Sequence, residues 1–365
     1  MMAGSRQSLH GWVGWRGVRA QVRENVRGRR GAARMLLGML MLSLTWLALA
    51  APPVLASPAV TPRIAMVLWR GETEVEQGFR AALADYGIEA RIEVHDIARD
   101  LQRLPAIIEQ LRADPPDVVY TWGTGVTLGL VGRWDDAQAP LGEIPVVFTM
   151  VAAPFKTGIA APPDAPPRPW VTGVSHIAPL VAQINAMRSY MPVDRIGVVF
   201  NPQEANSVSN VEDLRAHGGR MRFEVLEAPV PPGGDGAPDP MAIPDLVAGL
   251  AARGAQVLYI GPDNFVGNYR DTLTAAGMAH GMPAFTGTEL ELRDGEAMFG
   301  LVSRYETVGR FTAAKVRDIV VNGKRPDEIP VETLERFAYL IRFEVARQLG
   351  LYPPLPLLRY AEVIE

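Results

Sequence analysis

Residues 117–131 read DVVYTWGTGVTLGLV. An apolar run enters a glycine-spaced turn at Gly123, Thr124 and Gly125 and leaves through residues suited to begin a helix, so the stretch reads as strand, tight turn and helix. Repeated, that unit builds a mostly parallel sheet with helices on both faces, whose ligands gather beyond the carboxyl ends of the strands. The spacing G-x-G-x-x-x-G is a weak match to a dinucleotide loop. The acid that would hold a ribose belongs at the end of the following strand, whereas Glu143 stands before IPVVF (144–148). Two readings of the turn stay open: backbone N–H groups at Gly123 and Gly125, helped by the Thr124 hydroxyl, receive an anion, or the glycines only shape a tight connection.

The same unit recurs outward in both directions. RIAMVLW (63–69) has the pattern of a short buried strand, and in EVEQGFRAALADYG (74–87) Val75, Phe79, Ala82, Leu83 and Tyr86 recur at helical spacing. ARIEVHDI (90–97), LQRLPAIIEQLRADPP (101–116) and IPVVFTMV (144–151) continue as strand, helix and strand. VTGVS (171–175) marks a crossing point before a second series: RIGVVFN (195–201), SVSNVEDLRAHG (207–218), MRFEVLEAPV (221–230), a helix over 243–253 and AQVLYIG (255–261). PAFTG (283–287) and AMFGLVS (297–303) extend it, and Tyr305, Glu306 and Arg310 belong to an ordinary helix running to Val321. Two series of this length exceed one core, which predicts two doubly wound α/β lobes of similar architecture. AAPPDAPPRP (160–169) and PVPPGGDGAPDP (229–240) are surface loops.

The 365 residues carry 36 basic and 40 acidic side chains. Eight arginines and one glutamate lie before a run, MLLGMLMLSLTWLALAAPPVLASPA, whose basic, apolar and small order predicts a secretory signal cut after Ala50 or Ala56. Taking residues 1–56 from the totals leaves a formal charge of −11, which argues against nucleic acid or an anionic membrane as partner and for a protein soluble in the periplasm or otherwise exported. The absence of cysteine excludes disulfides, thiolate metal sites and a cysteine nucleophile.

Candidate functional residues are those directly after the strands. They are Trp69 with Arg70, then Gly123, Thr124 and Gly125, then Thr149. In the second series they are Asn206 with Ser207, Asp263 with Asn264, and 286–289. Asn206 or Ser207 can cap a helix whose N-terminus suits a carboxylate or phosphate. Asp263 can accept from an ammonium or hydroxyl, or serve only as a cap of its own turn. The five histidines show no metal spacing, and neither a G-x-S-x-G elbow nor H-E-x-x-H occurs, so no metal, cofactor or catalytic group is implied.

The chain resembles the substrate-binding proteins of ABC transporters related to binders of tryptophan and other aromatic amino acids. The resemblance rests on PDVVYTWGT (116–124), IPVVF, VTGVS, RIGVVFNPQEANSV (195–208), VLYIGPDNFV (257–266), GKRPDEIPVE (323–332) and ARQLGLYPP (346–354), in that order. It implies a fold similar to type I periplasmic binding proteins, with lobe 1 formed by 57–173 and 304–325, lobe 2 by 174–303 and 326–365, and a ligand in the interlobe cleft. It further implies that Thr124 and the Asn206–Ser207 cap hold a carboxylate, that Asp263 faces an ammonium, and that Trp69 stacks on an apolar tail. The implied role is delivery of a small carboxylate-bearing solute, an amino acid, to an ABC permease. The alternative is an exported sensor or enzyme using the same cleft. Ala153, Gly125 and Arg342 depart from the family's usual residues.

Overall fold

The computed structural model describes residues 61–364; the signal segment and cleavage sites read from residues 1–56 lie outside them. Thirteen strands form two sheets. The first contains β1 (Arg63–Leu68), β2 (Arg91–Asp96), β3 (Val118–Trp122), β4 (Val146–Val151), β5 (Val171–Ser175) and β11 (Glu332–Thr333). Its order is β2-β1-β3-β4-β5-β11, parallel throughout. The second contains β6 (Arg195–Phe200), β7 (Glu224–Pro229), β8 (Val257–Ile260), β9 (Ala284–Thr286), β10 (Phe299–Val302), β12 (Ala338–Arg342) and β13 (Glu362–Ile364). Here the order is β7-β6-β8-β9-β10-β12-β13, with β12 antiparallel to β10. No helix among the described residues is long and apolar enough to cross a membrane.

Period-two alternation sends successive residues of each strand into different cores. In β1, Ile64, Met66 and Leu68 join one apolar cluster while Ala65 and Val67 join another on the opposite face. In β8, Val257 and Tyr259 face one cluster and Leu258 and Ile260 the other. Strands buried on both faces read as continuous apolar runs, which is why VVYTW and VLYI contain almost no polar residue.

In both sheets the chain first moves outward, β1 to β2 and β6 to β7, then returns to the other side with β3 and β8. The crevice at such a reversal lies beyond the carboxyl ends of β1 and β3 in one sheet and of β6 and β8 in the other.

The helix Tyr305–Val320 follows β10 of the second sheet but packs on the first. It lies against the helix Glu74–Asp85, where a Cβ on Gly309 would stand 1.8 Å from the Val75 carbonyl oxygen and one on Gly78 2.2 Å from that of Glu306. Only glycine permits backbones this close. The Glu74 helix starts in a capping box: Thr73 accepts from Val75 N and Glu76 accepts from Thr73 N. Its buried Glu76 also receives the Tyr120 hydroxyl at 2.5 Å. The chain thus crosses between the sheets after β5, after β10 and between β11 and β12.

Candidate functional site

The carboxyl ends of the two sheets face one cavity. The turn after β3 shapes its first wall. Gly123 has φ 85° and ψ 162°, a conformation open essentially to glycine alone. Its N–H donates to the Thr149 carbonyl at 2.9 Å, and its own carbonyl accepts from Thr127 N at 3.1 Å. The helix Thr124–Val131 therefore begins at the cavity, and no side chain caps it.

The end of β4 carries a bulge, with the register shifting between Phe148 and Val151. Met150 takes φ 54° there and lines the cavity. Arg70 lies over the Trp122 ring, 5.5 Å from its centroid, and both line the same wall. Tyr305, at the start of its helix, completes it, although its sequence context marked it as part of an ordinary helix.

The second wall holds Asn206, Asp263, Asn264, Gly267, Thr288 and Glu291. Asn206 opens the helix Ala205–Met221, and its amide donates to the Pro262 carbonyl at 2.7 Å, tying that helix to the end of β8. Glu204, which precedes the helix, does not cap it. Its carboxylate instead accepts from Asn264 N at 2.9 Å and Phe265 N at 2.8 Å. Two longer helices, one from each sheet layer, thus start at the cavity with their first N–H groups lacking a side-chain cap.

The electrostatics are those of buried ionisable groups. Burial pushes the Asp263 carboxyl up to about 6, and the charge of Glu204 adds to this; hydrogen bonds from Asn201, Ser207 and Val266 act the other way. Burial also raises the pKa of Glu291, opposed by the Thr288 and Thr286 hydroxyls. His176, 4% exposed, is pushed down to about 3 by burial and is neutral. The buried Nδ1 of His176 and the indole Nε1–H of Trp122 have no hydrogen-bond partner, and both residues line the cavity. Orphaned buried polar atoms of this kind need an explanation, and a missing ligand is one. The space between the walls is about 50 Å³ in volume, room for a few water molecules. Among the described residues no three His, Asp or Glu side chains gather to hold a metal ion.

Of the residues marked by the sequence, Arg70, Gly123, Thr124, Asn206, Asp263, Asn264 and Thr288 meet in the cavity. The others do not. Trp69 packs into the apolar clusters on the two faces of the first sheet, and its neighbour Arg70 takes the cavity position. A Cβ on Gly125 would meet Leu101, so that glycine faces the helix packed behind the turn. Thr149 accepts from Thr312 at 3.1 Å inside the first sheet's core. Ser207 sits behind the wall and donates to Asp263. Ser209 and Asn210 are likewise absent from the cavity lining, and Asn210 donates to the Tyr259 hydroxyl at 3.2 Å. The departures at Ala153 and Arg342 also lie off the cavity: Ala153 accepts from Thr157 in a turn, and Arg342 donates to the Leu292 and Arg293 carbonyls.

Two ion pairs bridge the sheet layers, Lys156 with Asp213 and Arg293 with Glu74, the latter at 2.8 Å.

Comparison with known proteins places this architecture. The family model described as ABC transporter substrate binding protein matches residues 64–364. A "Tyrosine-binding protein" from Clostridioides difficile (strain R20291) is 23% identical over 287 residues, covering 76% of this chain and 77% of that protein. Among solved structures, a conserved domain protein from Vibrio cholerae O1 biovar El Tor aligns with a TM-score of 0.71 at 24% identity, over 84% of this chain and 100% of that one. An ABC domain from Streptococcus pneumoniae in complex with L-Trp aligns with a TM-score of 0.69 at 20% identity, over 82% of this chain and 100% of that one.

Proposed function

Since the chain belongs to the ABC transporter substrate-binding protein family, we propose that it is the exported solute receptor of an ABC importer and that it binds an amino acid between two lobes. The lobes are built on the two sheets, the first with the helix Tyr305–Val320 and β11, the second with β12 and β13. One observation carries the ligand class: a helix from each sheet layer opens uncapped onto a cavity whose Trp122 Nε1–H lacks an acceptor. A carboxylate supplies acceptors to all three, and helix N-termini favour its charge. Thr124, Asn206 and Arg70 stand beside that position. The Trp122 and Tyr305 rings with Met150 and Leu290 offer an apolar surface for a side chain. The names of the tyrosine-binding relative and of the L-Trp complex make aromatic amino acids the first candidates. Because the cavity is walled by residues of both sheet layers, the lobes part to admit the ligand and close around it.

A thermal-shift panel of amino acids, short carboxylates, nucleosides and sugars tests this. Ligand at about 100 times its dissociation constant adds roughly 2.7 kcal/mol to the folded state. Stabilisation by amino acids supports the proposal, and stabilisation by sugars or nucleosides alone refutes it. Export is tested by N-terminal sequencing, with the mature chain expected to begin between Ala51 and Ser57; retention of Met35 to Ala50 in a membrane fraction refutes soluble export.

A further inference from the structure

Asp263 has its oxygens committed within the protein. Oδ1 accepts from Val266 N at 2.8 Å, and Oδ2 accepts from Asn201 N at 2.7 Å and from Ser207 Oγ at 2.5 Å. This is the bonding of a helix cap that also pins two neighbouring segments, and it leaves little capacity for a ligand.

Glu291 is bonded differently. Its Oε2 accepts from Thr286 Oγ1 at 3.2 Å and from the Thr288 hydroxyl. Near Oε1 the wall is cut back: a Cβ built on Gly267 would stand 3.4 Å from that oxygen, and both residues line the cavity. The neighbouring arginines are engaged elsewhere. Arg270 donates to the Gly267 carbonyl at 2.9 Å and the Asp294 carbonyl at 3.2 Å, while Arg304 pairs with Glu289 and Glu362. Among the described residues no ion pair includes Glu291, although it is 4% exposed. A buried carboxylate that forms no ion pair is costly, and burial accordingly raises its pKa, with the threonine hydroxyls and the more distant Arg270 charge acting the other way. Across the cavity stand Trp122 and His176, each with a buried nitrogen that has no hydrogen-bond partner.

We propose that Glu291 is the counter-ion for the ligand's ammonium group and that Asp263 is a positioning residue, holding Ser207 and the segment at Asn201 in register with the cavity. The inference rests on the amino-acid reading of the site and assigns its cation-reading group.

Calorimetric titration with L-tryptophan and L-tyrosine, and with the amine-free probes indole-3-propionate and 3-(4-hydroxyphenyl)propionate, tests it on the mature protein. Removing one partner of a buried charge pair costs affinity by about 30-fold or more, so Glu291→Gln is expected to lose at least that for the amino acids. The same variant is expected to change amine-free binding by less than about 3-fold, because those probes never use the charge. Gly267→Ala places a methyl beside Oε1 with the charge intact, and is expected to weaken the amino acids in the same selective way. Asp263→Asn should move both probe classes alike. An unchanged ratio of amino-acid to amine-free affinity in Glu291→Gln overturns the assignment, as does a ratio that falls in Asp263→Asn alone. If Glu291→Gln does not fold, Gly267→Ala decides by the same ratio. A wild-type protein that binds the amine-free probes as tightly as the amino acids retains the carboxylate site and overturns the ammonium reading; one that binds neither class overturns the amino-acid function itself.

Discussion

Ser207 donates a 2.5 Å hydrogen bond to Asp263, joining the first turn of the helix Ala205–Met221 to the loop that follows β8. The pair is internal to the second sheet layer, and its chemistry is visible in the pH dependence of stability. Burial, reinforced by the Glu204 charge, puts the folded pKa of Asp263 at about 6, above the ordinary 3.8. A carboxyl with a raised folded pKa keeps its proton longer in the folded chain. Its contribution is therefore most favourable below pH 3.8 and declines until pH passes about 6. Asp263→Asn is expected to remove that declining segment from a plot of unfolding free energy against pH, with the wild type gaining on the variant as pH falls from about 6 to 4. Parallel curves for the two proteins would contradict it.

His176 predicts a slope of the opposite sign. Its folded pKa of about 3 lies below the ordinary 6.5, so the unfolded chain takes the proton first. The stability this gives is present above pH 6.5 and is lost as pH falls toward 3. His176→Gln is expected to flatten acid unfolding across this window, as read by circular dichroism at stepped pH. The histidine lies on the first crossing segment between the sheets and Asp263 in the second sheet layer, so the two variants separate the opposing trends.

At the contact between the helices Glu74–Asp85 and Tyr305–Val320, Gly309→Ala would drive a methyl to within 1.8 Å of the Val75 carbonyl oxygen. Overpacking of this kind typically costs about 1–3 kcal/mol, and the backbone origin of the clash argues for the upper end. Urea unfolding should show the midpoint falling with little change in slope. Gly219→Ala, where a Cβ meets nothing within 4 Å, should be neutral or mildly stabilising.

The bridges Lys156–Asp213 and Arg293–Glu74 join partly exposed side chains. Each is worth about 0.2–1 kcal/mol and is weakened by salt. Lys156→Met with Glu74→Gln is expected to speed ligand dissociation by no more than about 30-fold at low ionic strength, and by less in concentrated salt. Stopped-flow release at two salt concentrations reads the effect; an equal acceleration at both would assign it to packing.

The sequence made the two βα series legible because strands buried on both faces must be apolar end to end, as VVYTW and VLYI are. Gly123, Asn206 and Asp263 were found by the same logic, since strand ends define the crevice. Glu291 and Tyr305 were missed. They open helices after the short strands β9 and β10, and no local pattern tells which lobe such a helix will join. Met150 was hidden because its direction depends on a bulge that IPVVFTMV does not announce. Of the pair Trp69 and Arg70 marked after β1, Trp69 packs against the apolar clusters on both faces of the sheet and Arg70 lines the cavity, a division the strand pattern does not announce. Asp263 lines the cavity, yet its oxygens are occupied by bonds from segments distant in the chain, which composition cannot show.

Two of the three segments that cross between the sheets are fastened to each other: Ser303, just before the helix Tyr305–Val320, donates to the His176 carbonyl at 2.5 Å. A single tether between two rigid bodies leaves them free to swing and twist in any direction. Several tethers, two of them clipped together, leave rotation about the line through the clip as the inexpensive motion. His176 also lines the cavity, so a rotation about that line would have a cavity residue on its axis.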